Sequence, residues 1–184
     1  MVYEYPDDIK ATYESPNPFI KWFFNKKINT VLKIADLKED DLLLDFGCGG
    51  GEIKKRLTDN KNKVKVIGYD LTPEHSDIDN YTKIKPTKII SMDCFEHIPK
   101  SEISKIIENF RKMNPNAIMT FSIPTENFFS RKIRKLLGKP ERANGHITTL
   151  KEILSIFSQK QMKLIKKKNL FTITFIGSYK FENL

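Results

Sequence analysis

An acid followed by three glycines at alternate positions forms the segment of the chain best suited to bind a ligand. Asp45 ends a run of three leucines, and Gly47, Gly49 and Gly51 follow it. An apolar run without polar alternation is typical of a parallel strand covered on both faces. The glycines permit a sharp turn and close approach of a ligand to the backbone, and a helix is predicted from Glu52 onward. Strand, glycine turn and helix together predict a nucleotide-binding loop.

The spacing of the glycines distinguishes between two kinds of nucleotide-binding loop. The dinucleotide fingerprint G-x-G-x-x-G would place its third glycine where the chain has Glu52, so this fingerprint is excluded. The segment instead resembles motif I of the class I S-adenosylmethionine (SAM) dependent methyltransferases, in which the acid and the loop backbone bind the methionine end of the cofactor. The residues that the resemblance implies as cofactor contacts are Asp45, Gly47, Cys48, Gly49 and Gly51. A generic tight turn is the alternative if this loop is taken alone.

A second segment, in register with the first, offers an acid for the ribose of the cofactor. Residues 64–70 form a β-rich run that ends in Asp70. This acid follows the glycine loop by about 20 residues, the usual distance to a second-strand carboxylate that binds a ribose. We therefore predict that Asp70 binds the ribose and that Leu71 lies beside it. The alternative is a surface acid at the end of a strand.

A third segment, residues 88–99, is a predicted strand followed by the sequence Glu-His-Ile-Pro. It resembles the fourth-strand segment of the same superfamily, particularly of its small-molecule, type 11-like branch. The resemblance implies that Asp93, Cys94 and Phe95 line the crevice near the transferred methyl group. It also implies that the cofactor leaves the reaction as S-adenosylhomocysteine (SAH). Three matches in the order of the family argue against coincidence.

Two histidines are candidate catalytic residues. His97 follows the third segment, where an imidazole could act as a general base near neutral pH; a structural role in the turn is the alternative. His146 resembles a histidine that precedes the last helix and faces the substrate in many small-molecule methyltransferases, which implies an acid/base or substrate-contact role. The three histidines and two cysteines of the chain show no metal-ligand spacing, so no metal site is predicted.

The length of 184 residues predicts one domain, because it suffices for a core but not for a second folded unit. The resemblance implies an α/β, Rossmann-like class I methyltransferase fold. Its sheet would be mostly parallel and seven-stranded, with an antiparallel last strand and helices on both faces. The expected parts are an N-terminal lid and helix (1–36), a cofactor-binding core (41–124), a substrate-side insert (125–148), and a last helix with a strand hairpin (149–184).

Hydrophobic periodicity and capping signals place several elements within this plan. The predicted elements are helices over 19–34 and 101–112, a strand over 116–124, a helix that starts at the capping box of Thr149, and a hairpin of strands 162–168 and 170–177. The connection between the second and fourth strands is too short for two helices and a full third strand. We expect a third strand reduced to residues 81–84, with Asp77 or Asp79 in place of the acid that commonly binds adenine in the family.

The net charge of +9 is concentrated between Arg131 and Lys168. Such a surface suits nucleic acid, an anionic membrane or an anionic substrate, and a solvated lysine-rich face is the alternative. Residues 126–137 are a predicted basic amphipathic helix that carries two phenylalanines, a composition typical of an interfacial segment. Peripheral membrane contact from Phe128 to Arg142 is therefore expected, unless this helix packs as a lid over the substrate. Further lid candidates are Tyr3, Tyr5 and Tyr13.

The composition and the resemblance together favour one function over its rivals. No apolar run approaches the roughly 20 residues of a spanning helix and no signal-peptide pattern is present, so a cytoplasmic protein with reduced Cys48 and Cys94 is expected. The resemblance implies methyl transfer from SAM to a small-molecule or lipid-like acceptor. The alternatives are an RNA methyltransferase that uses the basic C-terminal face, or a degenerate, non-catalytic binding protein. The usual signature of base amino-group methylation is absent from residues 92–95.

Overall fold

The computed structural model describes residues 15–60, 62–125, 127, 128, 132 and 145–182. Its helices are α1 (Pro18–Ala35), α2 (Glu52–Asp59), α3 (Lys100–Met113) and α4 (Leu150–Gln159). Its strands are β1 (Leu42–Phe46), β2 (Lys65–Tyr69), β3 (Lys88–Met92), β4 (Ile118–Pro124), β5 (Met162–Leu170) and β6 (Thr174–Phe181). Short 3-10 turns occupy Pro73–His75, Tyr81–Lys83 and Phe95–His97.

The strands form one mixed sheet in the order β2-β1-β3-β4-β6-β5. The first four are parallel, and β6 runs antiparallel to both β4 and β5. The predicted Rossmann-like class, with a mostly parallel sheet and an antiparallel strand near its end, is confirmed. Parallel β1, β3 and β4 are covered on both faces, which explains why their sequences are continuous apolar runs rather than alternating ones.

The prediction of seven strands was wrong, because the described residues form six. Residues 81–84, expected as a reduced third strand, form the 3-10 turn Tyr81–Lys83 instead. The Asn80 side chain caps this turn by accepting a hydrogen bond from the Thr82 N–H at 2.9 Å. The Tyr81 ring then packs 4.9 Å from the ring of Tyr69 on β2 and 5.1 Å from that of Phe46 on β1. The segment therefore fills space beside the core and adds no strand to the edge of β2.

Helices cover both faces of the sheet and enclose two apolar clusters. On one face, α3 and α4 contribute residues such as Ile107 and Phe157, which pack with Phe121 of β4. On the other face, α1 and α2 contribute residues such as Val31 and Ile53. These clusters fix the carboxyl ends of the parallel strands, where ligands bind in open α/β sheets.

Helix α1 starts at that carboxyl edge and runs toward the opposite edge. Asn17 caps its start, because its side-chain oxygen accepts a hydrogen bond from the Phe19 N–H at 3.0 Å, and Pro18 occupies the first helical position. At the other end, the Nζ of Lys88, the first residue of β3, donates to the carbonyl oxygen of Ala35 at 3.2 Å. The aromatic residues at the start of α1 therefore lie at the ligand-binding edge.

The last helix begins as its sequence predicted. Thr149 and Glu152 form a capping box, in which the Thr149 N–H donates to the Glu152 carboxylate at 2.9 Å and the Glu152 N–H donates to the Thr149 hydroxyl at 3.4 Å. None of the helices in the described ranges is long and apolar enough to span a membrane. The lid candidates Tyr3, Tyr5 and Tyr13 lie outside the described residues. Except for Asn127, Phe128 and Lys132, the predicted insert helix over 126–137 also lies outside the described residues.

Candidate functional site

The glycine loop follows β1 in a conformation that favours glycine. Gly47 has φ +76° and Gly51, which caps α2, has φ +73°. The N–H groups of Gly47 and Cys48 both donate to the carbonyl oxygen of Tyr69, at 2.8 and 3.1 Å, so the loop is tied to the end of β2. A Cβ at Gly47 would come 2.5 Å from the Sγ of Cys94. The backbone here approaches its neighbour too closely for any side chain.

The carboxylate of Asp70 is bound to the backbone around it. Its Oδ2 accepts a hydrogen bond from the Gly49 N–H at 2.8 Å, and its Oδ1 accepts one from the Thr72 N–H at 3.0 Å. Asp70 is 6% exposed, whereas its neighbour Leu71 is 64% exposed. The structure thus places the predicted ribose ligand against the glycine loop, and its role toward a ribose stays a prediction.

Asp45 lines a cavity of about 260 Å³ beneath the glycine loop. The residues that line it are Asp45, Cys48, Gly49, Gly50, Gly51, Lys54, Gly68, Glu74, His75 and Asp77. Burial, and secondarily the carboxylates of Asp70 and Asp77, raise the pKa of Asp45 to about 7. An acid in such surroundings gains from a positively charged ligand, because a cation offsets both the burial and the repulsion.

Of the two acids considered for the adenine, Asp77 lines this cavity and Asp79 does not. The Asp77 carboxylate accepts hydrogen bonds from the Gly68 N–H at 2.8 Å and from the Nζ of Lys54 at 2.8 and 2.9 Å. Burial would raise the pKa of Asp77, but the bonds from Lys54 and Gly68 outweigh it and hold the pKa below its usual range. Sequence reasoning missed Lys54, although its position in the first turn of α2 follows from the glycine loop.

Asp93 lies at the carboxyl end of β3 and is paired with a lysine from α1. Its backbone is left-handed, with φ +49°, and its N–H donates to the carbonyl oxygen of Ser122 at 2.8 Å. Its carboxylate accepts a hydrogen bond from the Ser122 hydroxyl at 3.0 Å and forms an ion pair with Lys27. Lys27 is 4% exposed, and its Nζ lies 4.4 Å from the centroid of the Phe24 ring. In the sequence of α1, Lys27 is one of the lysines between the apolar positions, which indicates an exposed residue. In the structure it is buried and paired with Asp93.

The two other residues predicted near the methyl group, Cys94 and Phe95, have different surroundings in the structure. Phe95 is 1% exposed and packs edge-on against Phe121, 4.8 Å between ring centroids, so it belongs to the core. Cys94 is buried against Gly47, and burial and the Glu96 carboxylate raise the pKa of its thiol. Both cysteines are free thiols.

The two candidate catalytic histidines lie together. The ring centroids of His97 and His146 are 4.7 Å apart at an interplanar angle of 84°, and the Nε2 of His146 lies 4.0 Å from an oxygen of the Glu96 carboxylate. The N–H groups of Ile147 and Thr148 donate to the carbonyl oxygen of Glu96 at 2.8 and 3.1 Å. This pairing of the loop before α4 with the turn after β3 is a long-range contact, so residue spacing alone did not indicate it.

Comparison with known proteins identifies the kind of domain. A family model described as "Methyltransferase domain" matches residues 19–173. The solved magnesium protoporphyrin IX methyltransferase of Synechocystis PCC 6803, with bound SAH, is 15% identical and superposes with a TM-score of 0.61 over 94% of this chain and 92% of its own. A cyclopropane synthase from Mycobacterium tuberculosis is 16% identical, with a TM-score of 0.62 over 88% of this chain and 68% of its own.

A structure with a different kind of acceptor in its name is also similar. The small RNA methyltransferase HEN1 is 14% identical and superposes with a TM-score of 0.63 over 88% of this chain and 25% of its own. No curated protein sequence matches this chain at a significant level. At these identities the structural matches establish the fold, and they do not distinguish between acceptors.

Proposed function

The chain belongs to the methyltransferase domain family and has the fold of the class I SAM-dependent methyltransferases, and from this premise we propose that it methylates a small-molecule or lipid-like acceptor. Methyltransferase activity and SAM as cofactor follow from the family. The proposal concerns the acceptor and the residues that hold the two ligands. One observation carries the choice of acceptor: an exposed aromatic cluster stands at the sheet edge where the glycine loop lies.

The residues around the glycine loop fit the cofactor. When bound, SAM supplies a methyl group on a positively charged sulfonium, next to an ammonium and a carboxylate. The left-handed glycines leave room for close approach to the backbone, and the buried Asp45 carboxylate suits the positive charge. We assign the methionine end to Asp45, Gly47, Gly49 and Gly51. The cavity of about 260 Å³ is below the ~300–1,000 Å³ of typical ligand sites, so it holds only part of the cofactor.

The ribose and the transferred methyl group are assigned to the neighbouring strand ends. Asp70 is the ribose ligand in this proposal, and its two bonds from backbone N–H groups fix its carboxylate for that role. Asp93 stands at the methyl end, where its ion pair with Lys27 and its bond from Ser122 hold it in place. Methyl transfer is an in-line displacement, so the contribution expected of these residues is orientation of the two reactants.

The aromatic cluster consists of Phe19, Trp22 and Phe171. Trp22 lies 5.6 Å from Phe19 and 5.5 Å from Phe171, measured between ring centroids, and 58%, 46% and 45% of Phe19, Trp22 and Phe171 are exposed. The Nζ of Lys26 lies 4.9 Å from the centroid of the Trp22 ring. Exposed aromatic side chains beside a lysine are typical of surfaces that enter the interface of an anionic membrane.

Strand register places this cluster at the carboxyl edge of the parallel strands. Phe171 is in the turn between β5 and β6, and Thr174 of β6 pairs with Pro124, the last residue of β4. Phe128, 81% exposed, follows β4 at the same edge, because the amide of its neighbour Asn127 donates to the carbonyl oxygen of Thr172 at 2.6 Å. An apolar acceptor held by this surface would reach the crevice from the side on which Asp93 lies.

The first test is calorimetric titration of the purified protein with SAM and SAH. Micromolar binding of both, weakened at least tenfold by Asp70→Ala, is the expected result. A well-folded wild type that binds neither ligand would refute the assignment of the cofactor site and favour a degenerate, non-catalytic binding protein.

The acceptor class is tested with vesicles, using the single tryptophan of the chain as a probe. Trp22 emission should shift to the blue with vesicles that contain phosphatidylglycerol, and Phe171→Ser should reduce the apparent affinity several-fold. Leu164→Ser is the matched control, because Leu164 is 38% exposed near the opposite end of β5. Transfer of tritiated methyl groups from SAM to a total lipid extract completes the assay. Labelling of RNA but not of lipid or small molecules would contradict the proposal.

A nucleic-acid acceptor remains the rival that the charge distribution favours. Four lysines lie on β5, the edge strand of the sheet: Lys163, Lys166, Lys167 and Lys168. Lysines on an edge strand also prevent pairing with other chains, which accounts for them without a ligand. RNA binding that falls steeply with added salt would support this rival.

A further inference from the structure

The turn after β3 and the loop before α4 bring one carboxylate and two imidazoles into a cluster. Glu96, His97 and His146 each offer a ligand atom, and these atoms all lie within 4.8 Å of one another. We propose that this cluster binds a divalent first-row metal ion such as Zn²⁺. Two imidazoles and a carboxylate form a donor set of catalytic zinc sites, which leaves an open coordination position for water or substrate.

The distances require only a small contraction of the cluster. Bonds of 2.0–2.2 Å to one ion place neighbouring donor atoms about 3.0–3.5 Å apart, whereas the Glu96 oxygen and the His146 Nε2 are 4.0 Å apart. The backbone on both sides is already fixed, because Ile147 and Thr148 donate to the carbonyl oxygen of Glu96. Rotations of the side chains that move the ligand atoms by ~1 Å therefore suffice to complete the site.

One ring nitrogen of His97 makes a contact with the backbone that is common in metal-binding histidines. Its Nδ1 lies 3.1 Å from the carbonyl oxygen of Gly145. If Nδ1 carries the proton, it donates to this oxygen and the lone pair of the ring is on Nε2, the atom that would bind the metal ion. Metal-binding histidines usually donate their second ring N–H to a carbonyl or carboxylate in this way. The Gly145 carbonyl thus positions the His97 ring and does not bind the metal ion itself.

Burial adds to the attraction between the cluster and a cation. Glu96 is 2% exposed, and the His146 side chain is 10% exposed. A carboxylate in low-dielectric surroundings attracts a divalent ion more strongly than one in water. The cluster begins three positions after Asp93, so the ion would lie on the turn that leaves the candidate methyl site. Binding of the ion does not depend on the identity of the acceptor.

The test is titration of chelator-treated, tag-free protein with Zn²⁺ by calorimetry, and with Co²⁺ by absorption spectroscopy. We expect one ion per chain in the micromolar range or tighter. Each of His97→Ala, His146→Ala and Glu96→Gln should weaken binding at least a hundredfold. His75→Ala is the matched control, because it removes the third histidine of the chain and should leave the affinity unchanged.

Circular dichroism and thermal melting show whether each variant is folded, and Glu96→Gln, which keeps the shape of the side chain, is decisive if an alanine variant unfolds. A folded wild type that binds no Zn²⁺ at 100 μM would overturn the proposal, as would binding that survives in Glu96→Gln. A Co²⁺ spectrum with a strong thiolate charge-transfer band would also overturn it, because the ion would then be on a cysteine. SAM titration of the metal-free protein is run in parallel, and its failure would concern the proposed function alone.

Discussion

The raised pKa of Asp45 predicts that SAM binding weakens as the pH falls. Burial, then the carboxylates of Asp70 and Asp77, raise this pKa from 3.8 to about 7. Asp45 is assigned to the positively charged methionine end of the cofactor, so its ionised form should bind and its protonated form should not. In the ligand-free protein the ionised form becomes scarce below neutral pH.

The size of the effect follows from the fraction of protein in the binding-competent form. The apparent Kd equals the intrinsic Kd divided by the ionised fraction of Asp45. With a pKa of about 7, the ionised fraction falls from roughly three quarters at pH 7.5 to roughly 3% at pH 5.5. The apparent Kd should therefore rise about 25-fold over this range, which corresponds to about 1.9 kcal/mol.

Calorimetric titration with SAM from pH 5.5 to 7.5 measures this dependence, with Asp45→Asn as the control. The asparagine keeps the size of the side chain and does not titrate, so its curve contains only the titration of the ligand and of other groups. We expect the variant to bind weakly at every pH, without the 25-fold change. An equal pH dependence in wild type and variant would refute the assignment, and so would a wild-type Kd that is constant over the range.

The same pKa has a consequence for stability of the ligand-free protein. Because the folded-state pKa is above the unfolded value of 3.8, folding favours the protonated acid. The associated stability is complete below pH 3.8 and is lost as the pH rises through about 7. Well above pH 7, the free energy of unfolding is lower by at most about 4 kcal/mol for this reason. Asp45→Asn should therefore raise the Tm of the ligand-free protein at pH 8 while it weakens SAM binding.

Four further single substitutions, one of them also combined with Asp93→Asn, test the packing around the site and the cap of α4 by urea denaturation. Gly47→Ala should cost about 2–4 kcal/mol, because its Cβ would meet a cysteine sulfur at 2.5 Å and its φ is left-handed. Gly51→Ala, with a similar φ and no atom within 4 Å, should cost only about 1 kcal/mol, and equal losses would contradict the close-approach argument. Lys27→Met should lower the free energy of unfolding by about 2 kcal/mol, since it leaves the Asp93 carboxylate without its cation. Adding Asp93→Asn to this variant should recover most of the lost stability. If the double variant is no more stable than Lys27→Met, the Lys27–Asp93 ion pair does not account for the loss. Thr149→Ala should cost about 1 kcal/mol through the capping box, and an unchanged stability would show that this cap contributes nothing.

The parts of the site that the sequence predicted are those that depend on neighbouring residues along the chain. The Asp-x-Gly-x-Gly-x-Gly segment determines its own strand, turn and helix, because the left-handed conformation of Gly47 and Gly51 is a local property. The place of Asp70 beside the glycine loop was also predictable, since a βαβ unit fixes the distance between the ends of its two strands. The capping box of Thr149 is local in the same sense.

The parts that the sequence did not predict depend on contacts between distant segments. Lys27 lies in a helix whose lysines all resemble solvent-exposed residues, and only the packing of α1 on the sheet brings this one to Asp93. His146 joins Glu96 and His97 through the hydrogen bonds between the loop before α4 and the turn after β3. Phe95 was expected in the crevice together with Asp93 and Cys94, but the 3-10 turn directs its ring into the core.

Among the residues that the structure describes, no strand lies beyond β2, and this shapes the edge of the sheet where we expect the adenine. Without a neighbour, β2 would expose unpaired backbone groups at the edge of the sheet. Asp77 takes the place of that neighbour, because its N–H donates to the carbonyl oxygen of Gly68 at 2.9 Å and its carboxylate accepts from the Gly68 N–H at 2.8 Å. The same carboxylate also binds Lys54, so its acceptor capacity is largely used. Adenine recognition by Asp77 would compete with both contacts, and for this reason we expect the adenine to be held by backbone groups and shape rather than by this acid.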